Sequence, residues 1–272
     1  IEDMQRGILI AAAIPYLTGK LHRGRLGGSI LPAFFYHRHL KRKGIPVYLG
    51  LGADCHGATI ETAARETEMT CRDFIMMKNR EYLKVYEDLG ISPDIYVATS
   101  ETFHQEMFKQ IFARASGSGI FSVRDMTFFT CARCDRVTDR DVMGKCRQCS
   151  GPIKKDICQT PDCIGRSTPE DIIDPTCVKC GNSLKICIIA RPVIDLHRYR
   201  REILDWLATA APCLLPTVSA FFSEPRTRYR EITRETSNGI PSPVSSRETV
   251  YVWVEAMTVY MTMHGLLRNR TS

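Results

Sequence analysis

The stretch Pro15-Tyr16-Leu17-Thr18-Gly19-Lys20-Leu21-His22-Arg23-Gly24 decides how this chain is read. It follows an apolar run, Ile8 to Ile14, and opens into a segment of helical character. A continuous apolar run bounded by Gly7 and Pro15 fits a buried strand of a parallel sheet better than an amphipathic edge strand. A strand that ends in a Gly-containing turn and feeds a helix offers free backbone N–H groups and the positive end of a helix dipole, the setting in which nucleotide phosphates bind. His22 at the turn adds a donor. The same arrangement also occurs in folds that bind nothing, so the rest of the chain has to decide.

Working outward, a helix is expected over Leu26 to Arg42, with Pro32 tolerable only in its first turn. Gly44 and Pro46 stop it, and Val47 to Leu51 reads as a second buried strand, completing a right-handed βαβ unit. Thr70 with Asp73 resembles a capping arrangement for a helix that runs to Gly90, its Phe74, Met77, Tyr82, Val85, Leu89 stripe belonging to the core. Another helix is expected over Glu101 to Ala115, with Phe103, Met107 and Ile111 at helical spacing, ended by Ser116-Gly117-Ser118-Gly119. Beyond a cysteine-rich segment, Leu184 to Ile189 reads as a strand and Asp195 to Leu207 as a helix. Val250 to Val254 reads as a buried strand leading into a helix near Glu255. The class is α/β. The expected domains are 1–119, a cysteine-rich insertion over 120–182, and 183–272.

With 272 residues, 44% apolar and 25% charged, the chain has the composition of a soluble globular protein with a sizeable core. No apolar run reaches the roughly 18 residues of a membrane span, and the N-terminus lacks a basic segment leading into an apolar one, so a cytoplasmic protein is expected. The net charge of +7 favours an anionic partner such as ATP or RNA. The basic cluster from His37 to Lys43 fits either a solvated helix end or a nucleic-acid footprint.

Eight of the twelve cysteines form close pairs: Cys131/Cys134, Cys146/Cys149, Cys158/Cys163 and Cys177/Cys180. Three pairs have two intervening residues, the spacing at which both thiolates of a knuckle point at one tetrahedral ion. Eight ligands suffice for two Cys₄ zinc sites, and sites without an open coordination position are structural. The segment from Ile120 to Asn182 has few apolar runs, so metal is expected to substitute for a core there. Redox chemistry at CxxC is the rival reading, usually seen at one strand-to-helix turn. Cys55, Cys71, Cys187 and Cys213 are expected to be small buried hydrophobes.

Taken in order, Pro-Tyr-x-x-Gly-x-x-His-x-Gly, Gly52-Ala53-Asp54-Cys55-His56-Gly57, the cysteine-rich insertion and Tyr251-Val252-Trp253-Val254-Glu255-Ala256 resemble the methionyl-tRNA synthetase family through nearly the whole chain. The resemblance implies a Rossmann-like parallel sheet with helices, interrupted by a zinc-knuckle connective insertion of the two-zinc type. It implies nested zinc ligation, Cys146, Cys149, Cys158 and Cys163 around one ion and Cys131, Cys134, Cys177 and Cys180 around the other. It further implies ATP, with Mg, as substrate, methionine or an analogue as the amino acid, and the tRNA 3′ end as default acceptor. No membrane or DNA partner is expected.

Residue by residue, His22 and Gly24 match the family's His-x-Gly-His signature, whose histidines contact ATP phosphates, and Arg25 stands where the second histidine would be. A guanidinium can bind phosphate but is not the same compact donor. Arg25 therefore either preserves activation by altered means or marks a lost function. Pro15, Gly19, His56 and Gly57 join His22 and Gly24 as the implied nucleotide-binding set. Ile14, Tyr16, Asp54, Trp253, Ala256 and Tyr260 form the implied amino-acid set, with the Asp54 carboxylate accepting the substrate ammonium. From the residues alone, Asp54 could instead cap a helix, His56 could be structural, and Trp253 could be core. Glu255 replaces the family's Asp and Met257 a usual Pro. The terminal run from His264 to Ser272 resembles the lead-in to the family's Lys-Met-Ser-Lys-Ser loop, placed too soon after Tyr260, which implies a deletion or a missing stretch. Two further readings follow from these departures: a tRNA-independent ligase that joins amino acids, as hydrazine-forming relatives do, and a noncatalytic zinc-stabilised binding paralogue.

Overall fold

The first apolar run forms β1 (Ile8–Ala11), which pairs in parallel with β2 (Val47–Ala53), Ile8 lying opposite Val47 and Ala11 opposite Gly50. The computed structural model describes residues 7–137, 141–154, 157–161, 163, 169–224, 227–243 and 248–271, so Ser272 of the terminal run lies outside the described residues. Parallel strands need a crossover, and here it comprises α1 (Arg23–Arg25), a wide π turn Leu26–Ile30 and α2 (Leu31–Arg42). The single helix expected over 26–42 is thus interrupted, and Pro32 gives the reason. It sits in the first turn of α2, where its missing N–H is harmless. In a regular helix its ring would clash with the carbonyl four residues back, and the backbone widens upstream instead, Leu31 N–H reaching the Leu26 carbonyl.

From β2 the chain passes through α3 (Ala58–Glu66) and α4 (Cys71–Asp88) to β3 (Ile95–Ala98), which pairs in parallel with β2 and gives a sheet of order β1-β2-β3. Thr70 caps α4, its hydroxyl accepting from Asp73 N–H at 3.1 Å. Of the expected stripe, Phe74 and Tyr82 are buried, whereas Leu89 is exposed. β2 is buried except at the half-buried Tyr48, but β1 stands at one side of the sheet and Ile8 is exposed, so the edge character that its composition argued against is what it has. α5 (Thr102–Gly117) follows, burying His104, Phe108 and Phe112 while Phe103 is exposed. The buried face is rotated one residue from the expected Phe103, Met107, Ile111 stripe.

The described chain divides into two compact units, Ser122–Val193 and the remainder. Within the former, β4 (Phe121–Cys131) pairs antiparallel with β5 (Asp135–Val137). β6 (Val142–Cys146), β7 (Pro152–Lys154), β8 (Ile157–Cys158) and β9 (Ile172–Cys177) form a sheet of order β8-β7-β6-β9, and β10 (Leu184–Asp195) leads out of the unit. An apolar core is present after all, Phe129, Val137, Val142, Ile153, Ile172 and Leu184 packing around Cys131, Cys146, Cys158 and Cys177. Of the four unpaired cysteines only Cys55 is buried; Cys71 and Cys187 are half-buried and Cys213 is exposed.

In the other unit, the Asp195 carboxylate accepts from His197 N–H and starts a short turn before α6 (Arg200–Ala210), which is followed by α7 (Leu215–Ser223) and β11 (Tyr229–Glu231). β12 (Thr233–Arg234) and β13 (Thr249–Val250) pair antiparallel and deliver α8 (Val252–Ala256) and α9 (Val259–Thr271). Trp253 and Val254 therefore lie on a helix, not on the expected strand. One face of the parallel sheet packs on α2, α3 and α4 through Ile30, Phe34, Ile60, Phe74 and Tyr82. The other packs on α9 through Ile95, Val97, Val259 and Met263. Gly52 permits the close approach of β3 within the sheet, since a Cβ there would come within 2.2 Å of the Val97 carbonyl. Among the described residues no helix is long and apolar enough to cross a membrane.

Candidate functional site

β2 ends at Ala53, and the next four residues, Asp54, Cys55, His56 and Gly57, lie at its carboxyl end, where ligands of open α/β sheets gather. The segment after β1 closes against them. Asp54 N–H donates to the Pro15 carbonyl at 2.9 Å, and Leu17 N–H donates to the Asp54 carbonyl at 3.1 Å, so Tyr16 and Asp54 form a parallel bridge. Gly57 adopts φ +100°, and a Cβ there would come within 2.5 Å of the Tyr16 hydroxyl. Tyr16, Asp54 and Gly57 are thereby brought together. Asp54 does not cap α3; its Oδ1 accepts from His56 N–H at 3.3 Å. Burial and the nearby Glu255 push its carboxyl up to about 7, against the lowering effect of the His56 N–H.

Glu255 on α8, two residues after Trp253, is 1% exposed and binds two histidines. His56 Nδ1 donates to Oε2 at 2.9 Å and His104 Nε2 donates to Oε1 at 3.1 Å, while His104 Nδ1 lies 2.9 Å from Thr262 Oγ1. Burial alone would raise the Glu255 carboxyl, but these hydrogen bonds and the histidine charges hold it below its ordinary value. Asn238 fixes the opposite side, its amide donating to the Cys55 carbonyl and its own carbonyl accepting from Gly57 N–H, both at 2.9 Å. Glu61 on α3 secures that loop by accepting from Ser237 and Asn238. His104, Asn238 and Glu61 carry no local sequence signal, because their partners stand about 150 to 180 residues away along the chain.

His22, an exposed residue, caps α1, its Nδ1 accepting from Gly24 N–H at 3.1 Å, which leaves the proton of the neutral ring on Nε2. Gly24 allows this fold-back, since a Cβ there would already press on the imidazole at 3.2 Å. Arg25 Nη1 donates to the Tyr16 carbonyl and to the Tyr82 hydroxyl, both at 2.6 Å. Gly19 has open space where a side chain would stand. Ile14 and Tyr260 share the apolar cluster around Met263, and Ala256 is buried on α8. Trp253 is not gathered with them: it is 63% exposed.

In the Ser122–Val193 unit the eight paired thiols form two quartets, Cys131, Cys134, Cys177, Cys180 and Cys146, Cys149, Cys158, Cys163, with all four sulfurs of each within 4.8 Å of one another. Contacts of 3.4 Å between Cys131 and Cys180 and between Cys149 and Cys158 suit thiolates sharing one ion. The three CxxC segments repeat one turn: Asp135, Ser150 and Gly181, each following the second cysteine, have φ of 57°, 58° and 74°. Ser150 and Gly181 N–H donate back to the Cys146 and Cys177 carbonyls at 2.8 Å. Backbone N–H groups of Arg133 and Cys134 lower the Cys131 thiol, and Thr160 and Gly151 N–H lower that of Cys149, which favours the thiolate at these two positions. The hydrogen bond with Cys180 and burial instead raise the Cys134 thiol, and, against the Asn182 N–H, burial and Cys131 raise that of Cys180. The donor sets fit two four-coordinate metal ions.

The family model for class I tRNA synthetases (M) matches residues 8–272. The methionine–tRNA ligase of Caldivirga maquilingensis is 30% identical over 93% of this chain and 44% of its own length, and that of Pyrobaculum arsenaticum 29% over 93% and 45%. A Mycobacterium tuberculosis methionyl-tRNA synthetase structure bound by methionyl-adenylate superposes with a TM-score of 0.65 at 18% identity, covering 94% of this chain and 47% of that one. The chain thus spans less than half the length of these relatives. Its parallel sheet, the cysteine quartets and a family match that begins at β1 and runs to the last residue agree: the chain belongs to the class I (M) tRNA synthetase family.

Proposed function

We propose that this chain carries the amino-acid-activating part of a methionyl-tRNA synthetase-type ligase, which forms an aminoacyl adenylate from ATP and an amino acid and passes the acyl group to the 3′ end of tRNA. The observation that carries the reading is Asp54, a buried carboxyl at the carboxyl end of β2, bridged to Tyr16 and next to a second carboxylate whose charge is already taken up by His56 and His104. A buried acid with so costly a charge gains most from a cationic partner, and the ammonium of an amino acid supplies one. Ile14, Ala256 and Tyr260 then receive the apolar side chain, and Trp253, exposed and apart from them, is left out of that pocket. His22 presents Nε2–H to the phosphates, with Pro15, Gly19 and Gly24 shaping the turn. His56, its Nδ1–H committed to Glu255, offers Nε2 to a ribose hydroxyl beside Gly57.

In the reaction the carboxylate oxygen attacks the α-phosphorus, the bond to the bridging oxygen breaks, and pyrophosphate leaves. His22 donates to charge that grows on the phosphate oxygens, an electrostatic contribution of the kind that usually dominates such steps. Mg²⁺ accompanies ATP, and zinc in the two quartets is structural. Two halves of the nucleotide-binding fold, 1–119 and 183–272 as read from the sequence, flank a zinc-binding insertion, 120–182 in that reading and Ser122–Val193 as a compact unit. Such an enzyme works in the cytoplasm, without a membrane or DNA partner. The names of the relatives and the methionyl-adenylate in the similar structures support methionine as the amino acid.

Amino-acid-dependent exchange of pyrophosphate into ATP, screened over the common amino acids with the longest natural form of the chain, tests this. Exchange with methionine is expected. Exchange with a different amino acid would favour the tRNA-independent ligase, and none at all the binding paralogue.

A further inference from the structure

Arg25 replaces a residue that would contact phosphate, yet its hydrogen bonds run inward. Nη1 donates both of its protons, one to the Tyr16 carbonyl and one to the Tyr82 hydroxyl, each at 2.6 Å. Tyr82, 1% exposed on α4, donates in turn to the Gly19 carbonyl at 2.9 Å. The two ends of the 16–19 turn are therefore tied to one buried hydroxyl, and the tie is charge-assisted at the arginine. Tyr86, also on α4, is buried with no hydrogen-bond partner for its hydroxyl among the described residues. This leaves Arg25 and Tyr82 as the polar anchor beneath the turn. The Tyr16 end continues directly into the backbone bridge with Asp54.

We propose that Arg25 is a positioning residue: with Tyr82 it clamps the 16–19 turn, and so sets both the phosphate-facing end at Gly19 and, through Tyr16, the placement of Asp54. Arginine suits this because one guanidinium NH₂ carries two protons for two acceptors, whereas an imidazole nitrogen carries at most one. The clamp itself is independent of the adenylate-forming reading; only the ligands used to detect it rest on that reading.

The test is a double-mutant cycle of Arg25→Gln and Tyr82→Phe in the full chain. Three quantities are measured: the melting temperature, the Kd for ATP, and the Kd for methionine without ATP, at a temperature where circular dichroism shows all four proteins folded. Each single variant is expected to weaken both ATP and methionine by about tenfold, the scale of one hydrogen bond to a charged group, and the double variant no further. Losses in melting temperature should likewise fail to add. A direct phosphate ligand behaves differently, Arg25→Gln weakening ATP alone while Tyr82→Phe changes nothing, and that result would overturn the proposal. If the wild-type chain binds neither ligand, the adenylate reading fails and the melting temperatures alone decide. Non-additive losses then support the clamp, and additive losses overturn it.

Discussion

Asp54→Asn weakens methionine binding by about two orders of magnitude, the expected result of removing one partner from a buried ion pair, which costs roughly 2–5 kcal/mol. The substitution keeps the shape and removes the charge. In the unsubstituted chain, affinity should rise as pH increases through about 7, where the Asp54 carboxyl ionises, and level off above it. Below that pH the neutral carboxyl cannot pair with ammonium. Stability runs the other way. Because the folded value lies above the ordinary 3.8, the folded state holds an extra proton between those limits, and the stability contributed at low pH is lost as pH rises towards 7. Asn at position 54 lacks that loss, so the variant should be no less stable at pH 8. Calorimetry with methionine from pH 5.5 to 8.5 reads both effects. Equal affinity in the two proteins, or a profile flat through 7, would remove Asp54 from the site.

The second large effect concerns metal. Elemental analysis should find about two zinc ions per chain, one for each quartet, and Cys149→Ser should leave about one. Structural zinc contributes on the order of 10 kcal/mol of folding free energy in small knuckle peptides, and in this unit the cysteines form part of the only apolar cluster found among its described residues. Chelation is therefore expected to unfold the Ser122–Val193 unit, with β-sheet signal lost on circular dichroism and regained on adding zinc. A chain that stays fully folded without metal would show that the quartets are ordinary core cysteines.

The βαβ start of the chain is legible in its sequence because Ile8 to Ile14, Pro15 and Gly19 are local signals, and so is the Thr70 cap, which needs only Asp73. What needed three dimensions follows a common pattern. The edge position of β1 depends on which strands pair with it. The face that α5 buries is chosen by Ile232, Ile240 and Val250, more than 100 residues later, with which Phe108 and Phe112 cluster. His104 enters the site only because α8 brings Glu255 to it. Strands β5 to β9 of the insertion are short and separated by knuckle turns, so neither a period of two nor an apolar run marks them. Arg25 was legible as a departure from the family, but its two acceptors were not, since Tyr82 stands 57 residues away.

The most direct measurement compares, by calorimetry at pH 8, methionine with its analogue lacking the amino group, each titrated into this chain. If the buried carboxyl at the end of β2 holds an amino acid by its ammonium, methionine binds and the analogue is weaker by about 100-fold. Equal affinity for the two would contradict that role for Asp54 and, with it, amino acid activation at this site.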